Sequence, residues 1–230
     1  MAFIKTDNLE LDFTKVHSIP NPQDGFLADP FVIEYADQSY CFVEEFSYKQ
    51  NKGKISTYLL SEDSAQPLGT ALEETFHLSF PYLIEHNQDL FMIPESASNN
   101  DIRLYKNISF PNEWVLEKIL IKNVDAADTV VFYQDNMWFM LTNICSSNVS
   151  DHQSELQLFS SKELVSDNWS PAPSNPITFD SLKARNGGCF AYNGKQYRVN
   201  QVHDKSHYGK ALQINEISKI TPSSMVEKNI

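Results

Sequence analysis

The stretch Asp29-Pro30-Phe31-Val32-Ile33-Glu34-Tyr35, followed by Ala36-Asp37-Gln38 and then Tyr40-Cys41-Phe42-Val43, decides the fold, because the chain repeats it. Three further segments align with it without gaps. They are Phe80-Pro81-Tyr82-Leu83-Ile84-Glu85-His86, Asp128-Thr129-Val130-Val131-Phe132-Tyr133-Gln134 and Asn186-Gly187-Gly188-Cys189-Phe190-Ala191-Tyr192. Each runs into a polar turn at Asn87-Gln88-Asp89, Asp135-Asn136 or Asn193-Gly194-Lys195, and then into a second run opened by Phe91, Phe139 or Tyr197. From the first residue of a unit to the aromatic that opens its second run is 11 residues in all four units (29 to 40, 80 to 91, 128 to 139, 186 to 197). Unit starts are 51, 48 and 58 residues apart (80−29, 128−80, 186−128). Short apolar runs around Asn, Asp and Gly turns are hairpins. A period near 50 with several strands per unit is that of a propeller blade.

Third strands follow at Lys54–Leu60, Ile102–Tyr105, Leu156–Phe159 and Ala211–Asn215, where polar and apolar residues alternate, and Trp114–Leu120 reads as an outer fourth strand. No long amphipathic helix appears. The expected architecture is therefore an all-β propeller spanning 1–230 as one domain. Four hairpin repeats are clear. A fifth blade is expected from the N-terminal run Leu9-Glu10-Leu11-Asp12-Phe13 together with the C-terminal tail.

In a hairpin the start of the first strand lies beside the end of the second, with partners about 5 Å apart. The residues 15 positions after each start are Glu44, Glu95, Asn143 and Gln201. One end face is thus expected to gather Asp29, Glu44, Glu45, Glu95 and Asp128 with Asn143, Asn186 and Gln201. Carboxylates crowded near an axis are costly unless solvated, paired or used. Two or three of them with separated pKa values are the equipment of glycoside chemistry. Arg185 stands next to the fourth start, His77 leads into the second, and Tyr208-Gly209 precedes the last repeat strand; all three are candidate substrate contacts.

Composition narrows the alternatives. The 230 residues carry a net charge of −12, which leaves no footprint for nucleic acid. No stretch approaches the roughly 18 apolar residues of a membrane span. Cys41, Cys145 and Cys189 form no CxxC pair, so neither a disulfide framework nor a zinc site is expected. His203 and His207 flank Asp204 without metal-ligand geometry of their own, and no cofactor motif is present. The N-terminus shows no basic region followed by an apolar run, so a cytoplasmic protein is expected, and the sequons at Asn107, Asn148 and Asn168 read as chance.

The same residues carry a family resemblance. Ala28-Asp29-Pro30-Phe31, Phe42-Val43-Glu44-Glu45, His77-Leu78-Ser79-Phe80-Pro81, Ile93-Pro94-Glu95-Ser96, Phe110-Pro111-Asn112-Glu113-Trp114, Asp128-Thr129, Asn175-Pro176, Ala184-Arg185-Asn186-Gly187-Gly188, Tyr197-Arg198-Val199-Asn200-Gln201 and Tyr208-Gly209 occur in order over about 28 to 217. The set resembles the five-bladed propeller domain at the N-terminus of plant glucosamine inositolphosphorylceramide transferase and of bacterial proteins of surface-polysaccharide synthesis. That domain is similar to the propeller of glycoside hydrolase family 43. The resemblance implies Asp29 as base, Asp128 as the carboxylate that tunes pKa, and Glu95 as acid with Glu45 behind it. It departs at Arg185-Asn186-Gly187, where the relatives tend to have Arg-Pro-Ala.

The relatives sit beside transferase or formyltransferase domains, so hydrolysis, transfer and binding all stay open. Two readings follow. One is a protein that acts on or transfers a sugar in surface glycan synthesis. The other is a non-catalytic sugar- or nucleotide-sugar-binding module that supports a separate glycosyltransferase. A scaffold whose face binds a protein is a third.

Overall fold

The computed structural model describes residues 1–4, 12–145, 152–203 and 209–230. A two-stranded ribbon of β1 (Ala2–Phe3) and β2 (His17–Ser18) comes first. Four antiparallel meanders follow. The first is β3 (Gly25–Tyr35), β4 (Gln38–Ser47), β5 (Lys52–Leu60) and β6 (Ala65–Leu72). The second is β7 (Ser79–His86), β8 (Asp89–Glu95), β9 (Asp101–Ser109) and β10 (Glu113–Lys122). The third is β11 (Ala126–Gln134), β12 (Met137–Ile144), β13 (Glu155–Ser161) and β14 (Ser170–Pro171), with β15 (Thr178–Phe179) also on β13. The fourth is β16 (Asn186–Tyr192), β17 (Lys195–Val202), β18 (Ala211–Thr221) and β19 (Ser224–Asn229). These are the blades of an all-β propeller, and β3, β7, β11 and β16 are its inner strands.

The 11-residue spacing is visible in the ladders. Ile33 pairs with Tyr40, Ile84 with Phe91, Phe132 with Phe139, and Phe190 with Tyr197. Each hairpin closes through a two-residue turn with both φ positive: Ala36-Asp37, Asn87-Gln88, Asp135-Asn136 and Asn193-Gly194. This is the turn whose twist matches that of the flanking strands. Strands sandwiched between neighbouring sheets are buried on both sides, so they lose alternation: Trp138 through Asn143 of β12 are all buried.

At the other end of the hairpins each ladder is interrupted by a bulge. Ala28 pairs with Glu44 and Phe31 with Phe42, so Asp29 and Pro30 oppose a single residue. The same shift separates Ser79 from Tyr82 and Ala127 from Val130. The unit starts Asp29, Phe80 and Asp128 take φ of 47°, 45° and 47°. Asp tolerates this region; Phe80 adopts it while almost wholly buried. In the fourth unit the shift falls between Asn186 and Gly188, and Gly188 carries the positive φ. Bulges re-aim side chains, and here they occur at all four unit starts.

The inner strands meet on the axis. Phe31 packs edge-on against Phe80 and Tyr82 at 4.8 and 5.7 Å between centroids. The Tyr82 hydroxyl donates to Val131 O at 2.9 Å and lies 3.4 Å from Cys189 O, tying the second blade to the third and fourth.

Five blades were expected, and the described residues form four. The C-terminal tail is used up as β19, paired along β18 from Asn215↔Asn229 to Thr221↔Ser224. At the N-terminus, Met1, Phe3 and Ile19 cover Leu27, Cys41 and Val43 on the first blade. Phe13 lies in a 3-10 turn, Phe13–Lys15, and residues 9–11 are outside the described residues. Cys41 is buried and Cys189 half-buried, and neither forms a disulfide.

The fourth blade is held by an arginine with no exposed surface. Arg198 Nη2 and Nε donate to Glu227 at 2.6 and 2.8 Å, Nη1 to Asn186 Oδ1 at 3.2 Å, and Nη2 to Lys183 O at 2.8 Å. Removing one partner of a buried pair leaves the other uncompensated. Arg198→Met is expected to cost about 3 kcal/mol or more in urea unfolding. Adding Glu227→Leu is expected to recover a good part of that loss.

Candidate functional site

The bulges and the strand ends beside them bring four carboxylates to one end of the axis. Asp29 comes from β3, Glu44 from β4, Glu95 from β8 and Asp128 from β11. The expected neighbours of the unit starts are in place: Ala28 pairs with Glu44, Ser79 with Glu95, Ala127 with Asn143, and Gln201 N donates to Arg185 O at 2.9 Å. Asp128 is nearly inaccessible and Glu44 is 6% exposed, whereas Asp29, Glu95 and Gln201 stay partly exposed at the rim.

One guanidinium faces this cluster. Arg185 Nε donates to Asp128 Oδ2 in a short contact, and its Nη2 lies 3.8 Å from Glu95 Oε2. Glu95 Oε2 also accepts from Asp128 N at 3.4 Å, and Gln201 Nε2 donates to Asp128 Oδ2 at 3.3 Å and to Asn186 O at 2.9 Å. Four acids against one arginine cannot all ionise at low cost. Burial, then the charge of Asp128, pushes Asp29 up to about 6, with Arg185 pulling the other way. Burial pushes Glu44 up to about 8, helped by Asp29, Glu95 and Asp128. Burial also raises Glu95 and Asp128, and in both Arg185 opposes it.

His77 reaches the cluster from the segment before β7. Its Nδ1 accepts from Gly53 N at 2.9 Å and its Nε2 lies 3.6 Å from Glu44 Oε1. Burial lowers its pKa, which favours the neutral ring.

Three of the expected contacts are engaged elsewhere. Glu45 lies on the opposite side of β4 from Glu44, as strand alternation requires. Its carboxylate accepts from Ser56 Oγ at 2.6 Å and lies 3.6 Å from Lys54 Nζ. Asn143 and Asn186 are wholly buried and clasp the third and fourth blades together. Asn143 Nδ2 donates to Glu155 O and Ala184 O, both at 2.9 Å, and its Oδ1 accepts from Asn186 N at 2.9 Å. Asn186 Nδ2 donates to Asp128 O at 2.8 Å. Their amides are taken up in holding the backbone of the site. Tyr208, His207 and Asp204 lie outside the described residues. The buried His203 ring accepts from Gly209 N at 3.0 Å. Among the described residues no three His, Cys, Asp or Glu side chains are arranged to hold a metal ion.

Two contributors escaped the sequence reading. A Cβ at Gly53 would come within 2.9 Å of both Glu44 Oε1 and His77 Cε1, and the available signal was a glycine inside a strand pattern. Arg198 was the other, a charge in the middle of β17, the second strand of the fourth blade.

Residues 11–230 match the family described as "Glucosamine inositolphosphorylceramide transferase 1, N-terminal". The chain belongs to this family. It is 32% identical over 211 residues to glucosamine inositolphosphorylceramide transferase 1 of Arabidopsis thaliana, covering 90% of this chain and 27% of that protein. Against the protein of the same name from Oryza sativa subsp. japonica it is 31% identical over 208 residues, covering 88% and 28%. The chain thus spans about a quarter of the length of these relatives.

Solved structures share its fold. An α-L-arabinanase of Cellvibrio cellulosa superposes with a TM-score of 0.65 at 13% identity, over 89% of this chain and 78% of that one. An exo-β-1,3-galactanase of Phanerochaete chrysosporium gives 0.71 at 10%, over 88% and 49%. A family 117 glycoside hydrolase of Zobellia galactanivorans gives 0.67 at 10%, over 93% and 72%.

The raised carboxyls make a pH prediction. A group whose folded pKa lies above its unfolded value binds a proton in the folded chain that the unfolded chain releases. Its contribution is fully present below about pH 4, the unfolded carboxylate range. It is lost as pH rises through about 6 for Asp29 and about 8 for Glu44. The thermal midpoint is expected to fall between pH 5 and pH 8.5, and Glu44→Gln to flatten the upper part of that fall. A level wild-type profile would contradict this.

Proposed function

We propose that this chain binds a saccharide or nucleotide sugar at the carboxylate end of its axis and acts there on a glycosidic bond, by hydrolysis or by transfer. One observation carries the reading: four carboxyl groups from three blades gather at one end of the axis, two of them in contact with Arg185, so that their environments differ. Asp29, partly exposed and outside the ion pairs that Arg185 makes with Asp128 and Glu95, is the base that takes the proton of an attacking hydroxyl. Asp128, held by Arg185 and Gln201, sets the charge of the site. Separated protonation among neighbouring carboxyls is what general acid–base chemistry on a sugar needs. Family membership supports a place in glycan or glycolipid synthesis, since the relatives carry a transferase name. Two fold neighbours were solved with arabinohexaose or β-1,3-galactotriose bound.

A second reading is a binding module that presents a sugar to a separate glycosyltransferase. It is favoured by the chain matching only about a quarter of relatives named as transferases.

The test is a screen of amino sugars, neutral oligosaccharides and nucleotide sugars by ligand-observed NMR, followed by product analysis. At least one saccharide is expected to bind. Asp29→Asn is expected to keep binding within about tenfold while turnover falls roughly 10²-fold or more. Glu45→Gln is expected to change neither. Binding without turnover in the wild type would select the binding module. Binding of no saccharide would refute both readings.

A further inference from the structure

We infer that Glu44 is the proton donor of this site and that His77 is the residue that positions it. The inference rests on the sugar-site reading above and deepens it.

Glu44 differs from the other three carboxylates in its partners. Asp128 and Glu95 both contact Arg185, and Glu95 also accepts from the Asp128 amide. Those contacts favour anions. Asp29 accepts a backbone hydrogen bond from Phe80. Among the described residues, the one ion-pair contact of Glu44 is with His77, whose neutral form is favoured by burial. The charged groups that face Glu44 from β3, β8 and β11 are Asp29, Glu95 and Asp128, all acids. Its surroundings therefore favour a carboxyl that keeps its proton, which a donor requires.

Its placement is constrained as well. Gly53 N donates to His77 Nδ1, so the neutral ring carries its proton on Nε2, the atom facing Glu44 Oε1. Leu78 N donates to Gly53 O at 3.0 Å, locking the segment that carries the ring to β5. A side chain at residue 53 would collide with Leu78 O, Glu44 and His77 together. A strand glycine thus permits the approach, and a backbone amide sets the tautomer.

The step balances without a further reactant. The anomeric C–O bond breaks with its electron pair on the leaving oxygen, which takes the proton of Glu44. A hydroxyl, from water or from an acceptor sugar, forms the new bond at the anomeric carbon and gives its proton to Asp29.

The test is a pH titration of the full chain with 13C-labelled glutamate, following side-chain carboxyl shifts between pH 4 and 9.5. The Glu44 signal, identified by its loss in Glu44→Gln, is expected to titrate near pH 8. His77→Asn keeps an acceptor for Gly53 N–H and removes the Nε2–H that faces Glu44 Oε1 at 3.6 Å. It is expected to move that midpoint upward by about half a pH unit or more. For a saccharide that is turned over, the rate is expected to fall on the alkaline side along the Glu44 titration. Glu44→Gln is then expected to retain binding and lose roughly 10²-fold or more in turnover.

A Glu44 midpoint in the ordinary range near pH 4 to 5, or one unmoved in His77→Asn, overturns the assignment while leaving sugar binding intact. Failure of every saccharide to bind overturns the sugar reading, and the donor role with it, whatever the titration gives.

Discussion

The contact on which the site depends is that of Arg185 with Asp128 and Glu95. Three blades deliver acids to one end of the axis, and the segment entering the fourth delivers the guanidinium. Without that charge, burial would set Asp128 and Glu95 against each other and against Asp29. With it, two acids are bound to the arginine, and two are left with other environments. Asp29 keeps access to the rim, and Glu44 sits against a histidine. An electrostatic asymmetry among four carboxyls follows from a cation that contacts only two of them.

The arginine is itself supported from below. Asn143 and Asn186 tie its backbone neighbours to the third blade. Arg198 then ties Asn186, Lys183 and Glu227 into the fourth. Polar residues that a sequence reading takes for ligand contacts are thus the frame that holds Arg185 where it is. A fully satisfied buried network of this kind fixes geometry more than it adds stability.

The repeat was legible because it is enforced by local chemistry. Two-residue turns of Ala, Asp, Asn, Gln and Gly fix the hairpin register, and that register repeats at Ile33↔Tyr40, Ile84↔Phe91, Phe132↔Phe139 and Phe190↔Tyr197. From it the neighbourhood of Asp29, Glu44, Glu95 and Asp128 could be read by counting. Counting did not show which way a side chain turns. Glu44 and Glu45 are adjacent, and strand alternation sends only the first to the cluster. Asn143 and Asn186 share the position of ligand residues, but their amides meet buried backbone groups that must be satisfied. The fifth blade was expected because a ring was assumed to close. The tail instead completes the fourth sheet, where its pairing partners are adjacent in sequence. What is shared with arabinanases and galactanases is the scaffold.

The most direct measurement of this account is a double-mutant cycle between Arg185→Met and Asp128→Asn, read by urea unfolding at pH 7. Arg185→Met alone is expected to be strongly destabilising because it strands buried carboxylates. Asp128→Asn is expected to restore much of the loss, giving a coupling of about 2 kcal/mol or more. Additive effects, with coupling below about 0.5 kcal/mol, would contradict an arginine that holds the site together.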